Sequence, residues 1–283
     1  MYRNHWKFKK RRIVQQLRGL TGKTLAPEKW VFVIGCYNSG TTLLKTILNE
    51  HTSMAALPRE GVELCNLLPR PEEIGWPRMW SQCADYPLIP ATKIEFRAEK
   101  IKRQWSYYIN DDKIIIEKSI SNMLRLEFIS QYFQPAYFIH IVRNGYAVSE
   151  GIRRRAKPHL WGSKLYDRYP IELCAKQWVE SDDQLSNHRA LLPNLLEITY
   201  EELTEKTEDV LSRIAAFIEI PSFSTDLHKR KWVVHGLESK IQNMNFKSIE
   251  NLTIQDINSI EVIAQSTLSK YGYKPINKQK DLI

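Results

Sequence analysis

The chain has 283 residues, 43% hydrophobic and 26% charged, which suits one large α/β domain and excludes a repeat or low-complexity protein. Its formal net charge of +9 is uneven: residues 1–30 hold nine Lys/Arg and one Glu, so the rest is nearly neutral and no nucleic-acid partner is expected. Cys36, Cys65, Cys83 and Cys174 form no metal spacing, and no apolar run approaches the ~20 residues of a membrane span. Reduced thiols and a cytoplasmic residence, peripheral to a membrane at most, are the expectation.

Residues 1–29 read as a basic arm ahead of a domain over 30–283. Ile13, Val14, Leu17 and Leu20 fall at i, i+1, i+4 and i+7, which predicts a short amphipathic helix with a basic face. Residues 1–25 would attach weakly to an anionic membrane, capture an acidic glycan acceptor, or remain a solvated tail. Trp30–Ile34 predicts the first strand, and a helix runs from the following turn to about Glu50. Pro58-Arg59-Glu60-Gly61 is a turn before a short helix over 62–68. Residues 69–111, with seven aromatics and five prolines, predict an irregular insertion on the acceptor side. Its Trp76, Trp80, Tyr86, Trp105, Tyr107 and Tyr108 would either face a sugar or phenol or pack into a lid.

Order returns with a strand over 113–118, a helix over 122–133, and a strand over 137–142 that ends at Arg143. Helices over 145–156 and 171–190, a strand over 195–199, and helices over 204–218 and 254–270 complete the pattern. Apolar strands separated by helices require crossovers. The expected fold is therefore a single α/β domain with a central parallel sheet flanked by helices, P-loop NTPase-like. Ligands in such sheets lie beyond the carboxyl ends of the strands, where Gly35, Lys118, Arg143 and Tyr200 fall.

The turn reads Gly35-Cys36-Tyr37-Asn38-Ser39-Gly40-Thr41-Thr42. Strand, glycine-bounded turn and helix start bring backbone N–H groups together on an anion. The spacing is that of a phosphate loop, but Thr41 stands where an NTP-hydrolysing loop carries Lys. That argues against ATP or GTP and for another anionic donor, held by backbone amides and the hydroxyls of Ser39, Thr41 and Thr42. Lys118 ends an apolar strand, so it either faces a site or snorkels. His140 alternates with Phe138 and Val142 and reads as a core histidine. Arg153, Arg154 and Arg155 are about 100° apart on a helix and cannot all face one ligand. Nothing resembles a metal site.

The loop 35–42, the segment Arg143-Asn144-Gly145-Tyr146-Ala147-Val148, the segment Ile198-Thr199-Tyr200-Glu201-Glu202-Leu203 and the closing Tyr271-Gly272-Tyr273 together resemble the sulfotransferases that use 3′-phosphoadenosine 5′-phosphosulfate (PAPS). The resemblance covers about residues 30–275 apart from 69–111. It implies sulfuryl transfer by in-line displacement to an acceptor hydroxyl, carbohydrate or tyrosine/phenol-like, without a metal. In the cytosolic phenol and steroid branch the second strand is followed by Lys-Thr-His; here it is Lys118-Ser119-Ile120, so that histidine base is missing. The tyrosylprotein and glycan-type branch, with its bacterial relatives, takes its base from a glutamate after the first helix, where Glu60 stands and Glu63 is the alternative. By the same resemblance Lys118 meets charge on the leaving phosphate, Asn38, Ser39, Gly40, Thr41 and Thr42 hold the 5′-phosphosulfate, and Arg143 holds the 3′-phosphate. Tyr200 contacts adenine or is a core tyrosine. Two positions depart from the family: Asn38 replaces an Arg or Lys, and Gly151 replaces a 3′-phosphate-binding Ser, for which either Ser149 or the Arg153–Arg155 run would substitute. The rival readings are a kinase-like phosphotransferase, with Glu117 as its one acidic strand end, and an inactive basic binding protein.

Overall fold

A computed structural model of the chain describes residues 13–83, 94–163, 165–224, 227, 230–234 and 237–276. Strands β1 (Trp30–Ile34), β2 (Met54–Ala56), β3 (Ile114–Glu117), β4 (Ala136–Val142) and β5 (Leu195–Thr199) form one parallel sheet in the order β2-β3-β1-β4-β5. Every residue of β1 is buried. Side chains alternate along a strand, so Trp30, Phe32 and Ile34 enter one core while Val31 and Val33 enter the other. Burying each such side chain stabilises the fold by about 1.5–3 kcal/mol, and it takes helices on both faces to do so.

The helices are α1 (13–21), α2 (Thr41–Leu48), α3 (Gly61–Leu64), α4 (Ile94–Trp105), α5 (Leu126–Tyr132), α6 (Gly145–Ala156), α7 (Ile171–His188), α8 (Tyr200–Glu205), α9 (Thr207–Ile218), α10 (Asn245–Ile249) and α11 (Ile254–Lys270). Residues of α2 and α9 pack on the Val31 face, and residues of α6, α7 and α11 on the Trp30 face. The result is the expected parallel sheet between helical layers, with the loop after β1 at its centre as in P-loop folds. Among the described residues no helix is long and apolar enough to cross a membrane.

The structure departs from the sequence expectation where tertiary contacts decide. The helix expected over 122–133 is a 3-10 stretch, Ile120–Arg125, followed by α5. The helix expected over 204–218 starts earlier, at Tyr200, because Thr199 and Glu202 form a capping box, and it breaks before α9. The edge strand β2 and the antiparallel hairpin β6 (Lys231–Val234) and β7 (Leu237–Lys240) were not expected at all. The described residues of the segment 69–111 are more ordered than its composition suggests. It holds 3-10 turns at Pro71–Ile74 and Trp80–Gln82 and the twelve-residue α4, which buries Ala98, Ile101 and Trp105. Trp80 and Trp105 are buried and Trp76 stacks on Tyr169, so these rings pack inward, while Tyr107 is exposed. Tyr86 lies outside the described residues.

The arm is divided too. Residues 1–12, with most of its charge, lie outside the described residues. From residue 13 onward the arm is docked on the domain. Gln104 Nε2 donates to the Gln15 carbonyl at 2.7 Å, Arg103 Nε to Thr24 Oγ1 at 3.0 Å, and Leu25 is fully buried. Lys23 pairs with Asp111 at 2.7 Å and Lys29 with Glu219 at 3.3 Å. The set Ile13, Val14, Leu17 and Leu20 faces solvent instead. Contacts therefore do not follow the boundary that charge suggests at residue 29.

Candidate active site

A cleft of about 630 Å³ opens at the carboxyl ends of β1, β3 and β4. Of the residues singled out in the sequence, Asn38, Gly40, Thr41, Thr42, Glu60, Lys118, Arg143, Gly151 and Tyr200 line it. On the loop side, Gly40 is the residue before α2 at φ 95°, and a Cβ there would lie 2.6 Å from the Tyr200 ring. Only glycine suits both the backbone and that contact. No side chain caps α2, so its first N–H groups point into the cleft without side-chain partners. Ser39 lies buried beside them and its Oγ, like Asn38 Nδ2, has no hydrogen-bond partner among the described residues. Burial pushes the neighbouring Cys36 thiol up to about 12, which keeps it a neutral core group.

Glu60 and Lys118 meet across the cleft, Lys118 Nζ to Glu60 Oε1 at 2.5 Å. Both come from elements that hold them from behind. The Gly61 N–H donates to Glu117 Oε1 at 2.8 Å, and the Gly61 carbonyl accepts from the Trp105 indole at 3.0 Å. A Cβ on Gly61 would come within 2.5 Å of Trp105 and 2.7 Å of Glu117. Ser119 and Asn122 also donate to the Glu117 carboxylate, and Ser119 Oγ accepts from the Val62 N–H at 3.2 Å. Glu117 is thus a buried anchor for the turn that carries Glu60; burial pushes its carboxyl above the ordinary range. Its oxygens are engaged inside the protein, which removes it as the acidic strand end of a kinase-like reading. Glu63, also lining the cleft, is paired with Arg70 at 3.3 Å.

Arg143 is positioned by both ends of the cleft. Its Nε donates to Asn245 Oδ1 and its Nη1 to the Asn38 carbonyl, both at 2.8 Å, and the guanidinium lies 4.2 Å over the Tyr200 ring. Arg143 Nη2 is buried without a partner among the described residues. Burial pushes its pKa below the usual guanidinium value. Glu201 ties this corner together, accepting from the Asn144 N–H at 3.1 Å, Asn245 Nδ2 at 2.5 Å and the Tyr273 hydroxyl at 3.0 Å. The Tyr200 hydroxyl is engaged by backbone, donating to the Gln242 carbonyl and accepting from the Met244 N–H. Its ring borders the cleft while its polar end belongs to the core.

Ser149 is not brought into the site: it is fully buried and its hydroxyl donates to the Gly145 carbonyl at 2.7 Å, one turn back. Of the arginine run, Arg153 turns away to a two-pronged pair with Asp256 at 2.6 and 2.8 Å, while Arg154 and Arg155 line the cleft. Arg154 pairs with Glu150 at 2.7 Å. Arg155 and Arg78 have no ion-pair partner among the described residues. Burial, then the like charges of Arg154, Arg78 and Arg143, push Arg155 below its ordinary value. Among the described residues eight Lys/Arg and three Glu line the cleft, so it is cationic within a nearly neutral body. His140 is a core residue, its Nδ1 3.2 Å from Glu197 Oε2. Sequence reasoning missed Asn245, Arg78 and the supporting parts of Trp105 and Glu201. Glu201 stood in a segment already singled out, whereas Asn245 lies 102 residues from Arg143 and gave no signal.

A model of the sulfotransferase family matches residues 31–225. An uncharacterized protein of Aquifex aeolicus is 26% identical in a match 231 residues long that covers 74% of this chain and 27% of that protein. The chain therefore spans about a quarter of that curated relative's length. Among solved structures, the sulfotransferase domain from the curacin biosynthetic pathway is 20% identical with a TM-score of 0.56, covering 89% of this chain and all of that domain. A sulfotransferase from Mycobacterium tuberculosis is 11% identical with a TM-score of 0.58, covering 93% of this chain and 84% of the other. At these identities the two structures show a shared fold.

Proposed function

The chain belongs to the sulfotransferase family, and from that premise we propose that it moves a sulfuryl group from PAPS to an acceptor hydroxyl of a carbohydrate or a tyrosine/phenol-like compound. One observation carries the reading: Asn38 Nδ2, Ser39 Oγ and Arg143 Nη2 are buried donors without partners around the uncapped start of α2. Each such donor costs about 1–3 kcal/mol when left unpaired, and buried polar groups in native proteins are almost always paired. A doubly anionic nucleotide would satisfy all three. The residues thus fit the donor: the N–H groups of α2, Ser39, Thr41 and Thr42 would hold the phosphosulfate, and Arg143 the second phosphate.

When bound, PAPS supplies an activated sulfuryl group that passes to the acceptor oxygen as its bond to the 5′-phosphate breaks. The protein's part is to remove a proton and to hold charge. Lys118 engages Glu60 Oε1, so Oε2 is the oxygen left to take the acceptor's proton. The clamp of Glu117 and Trp105 on Gly61 fixes that carboxylate against the donor loop. Lys118, a compact cation at a strand end, suits charge developing on the leaving phosphate oxygen. Arg78 and Arg155, without ion-pair partners among the described residues, support an acidic acceptor. The exposed Ile13, Val14, Leu17 and Leu20 support weak contact of the arm with an anionic membrane surface.

The test is a calorimetric titration with 3′-phosphoadenosine 5′-phosphate, with and without magnesium. Tight magnesium-independent binding is expected. Preference for ATP would favour a phosphotransferase, and no nucleotide binding would leave an inactive binding protein.

A further inference from the structure

The two departures from the family pattern, Asn38 and Gly151, are far apart in sequence but touch in the fold. A Cβ on Gly151 would lie 3.0 Å from both Cβ and Cγ of Asn38 and 3.2 Å from its Nδ2. Contacts that close are met only if Asn38 gives way by a few tenths of an ångström, so a side chain at 151 would push the amide from its present position. The Asn38 amide fills the space that a serine on this turn of α6 would enter.

The surroundings fix how the amide is presented. Asn38 has φ 63°, a left-handed backbone that asparagine adopts more readily than most residues. Its carbonyl accepts from Arg143 Nη1 at 2.8 Å, and its Oδ1 faces Arg78 Nη1 at 3.5 Å. That leaves Nδ2 buried and unpartnered, next to an Arg143 that is 8% exposed and whose Nη2 is unpartnered too. Both residues border the cleft. One neutral and one charged donor, joined through the Nη1–carbonyl bond, make a receptor for an oxyanion.

We propose that Asn38 and Gly151 are one exchanged unit, in which Asn38 Nδ2, seated over Gly151, replaces the missing serine hydroxyl and binds the donor's 3′-phosphate together with Arg143 Nη2. The inference rests on the donor reading above. It names Asn38 as a specificity-determining residue for the 3′-phosphate, a role that neither Ser149, turned into its own helix, nor Arg153, paired with Asp256, can take.

The rival account is that Asn38 is present only for its backbone conformation. Substitutions separate the two. Asn38→Gly keeps the left-handed backbone and removes the amide; Asn38→Asp keeps the shape and replaces the donor with an anionic acceptor. Full-chain variants are titrated with 3′-phosphoadenosine 5′-phosphate and with adenosine 5′-monophosphate, and the ratio of the two affinities reports on the 3′-phosphate alone. Asn38→Asp is expected to lower that ratio by about ten- to a hundredfold, the scale of a charged hydrogen bond, and Asn38→Gly by about tenfold. Gly151→Ser alone lowers the ratio, because it displaces Asn38, whereas Gly151→Ser in the Asn38→Gly background restores most of it. Thermal melts check that each variant is folded, and if Asn38→Asp is not, the Asn38→Gly series decides. An unchanged ratio in the Asn38 variants, or a double variant no better than Asn38→Gly, overturns the inference while leaving the donor reading standing. Failure of the unmodified chain to bind 3′-phosphoadenosine 5′-phosphate overturns the donor reading itself.

Discussion

The two sides of the cleft differ in what they leave unsatisfied. On the side proposed for the donor, Asn38 Nδ2, Ser39 Oγ and Arg143 Nη2 are buried without partners among the described residues and α2 has no side-chain cap. On the side proposed for the acceptor the carboxylates around Glu60 are paired: Glu60 with Lys118, Glu63 with Arg70, Glu117 with Gly61, Ser119 and Asn122. The donor side is preorganised for an anion, since binding there satisfies groups that already point the right way. The side proposed for the acceptor already has its carboxylates held, with Lys118 on Glu60 Oε1 and Oε2 left to work as the base. Donor and base are thereby coupled through Lys118: an anion that draws its ammonium away also changes the basicity of Glu60.

The sharpest way to break this contrast is Glu60→Gln, which keeps the shape and removes the base. Turnover is expected to fall by roughly 10²–10⁴. Donor affinity should stay the same or rise slightly, because Lys118 loses a competing partner. Single-turnover rates beside calorimetry separate the two quantities. Normal turnover in Glu60→Gln with loss in Glu63→Gln would move the base one turn along.

Next in size is an effect on the acceptor-side support. A truncation that begins at residue 13 is the reference. Deleting residues 1–25 removes Leu25 from the core and the Gln15 carbonyl from Gln104, and should lower stability by about 2–5 kcal/mol, the scale of a lost buried leucine. Equal midpoints for the two truncations would show that the docked part of the arm is not structural.

The same contrast explains what could be read from the sequence. The donor side follows from one strand, one turn and one helix, so Gly35 through Thr42 announces itself by local spacing, and Arg143 and Tyr200 follow as strand ends. Glu60 was legible only through resemblance, because the groups that fix its turn lie 44 to 58 residues away. Residues 69–111 read as irregular because their aromatic and proline content hides α4, whose buried stripe makes sense only once Trp105 is seen under Gly61. The arm misled in a similar way: charge marks its first twelve residues, but the polar side of α1, with Gln15, is what the domain holds. Asn245 could not have been found, since nothing local distinguishes it from other polar loop residues.

A smaller effect sharpens the donor half. Arg143→Ala should weaken binding of 3′-phosphoadenosine 5′-phosphate by about 1.5–3 kcal/mol, the scale of a charged hydrogen bond. Adenosine 5′-phosphosulfate, which lacks the 3′-phosphate, should lose much less. Equal losses would show that Arg143 acts by propping the loop through the Asn38 carbonyl and not by reading the phosphate.

The smallest expected effect lies away from both sides and serves as their control. Glu197 on β5 is held down to about 2 by its hydrogen bond to His140, with Arg189 adding to it against the opposing effect of burial. A carboxyl depressed in the folded state contributes stability above its unfolded value of about 4.3 and loses it as pH falls toward the folded value. The window is therefore about pH 5 to 2, with no contribution lost near neutrality. The Arg189 partner is exposed, and exposed pairs are typically worth about 0.2–1 kcal/mol, so Glu197→Gln should cost about 1 kcal/mol or less at pH 7. It should also flatten the fall in stability between pH 5 and 3 relative to the unmodified chain, while donor affinity stays the same because Glu197 does not line the cleft. Urea titrations at pH 7, 5 and 3 measure the first two quantities and calorimetry the third. A change in donor affinity would mean that β5 transmits strain to Tyr200 and Glu201 at its end, and that the donor side is less self-contained than its local construction indicates.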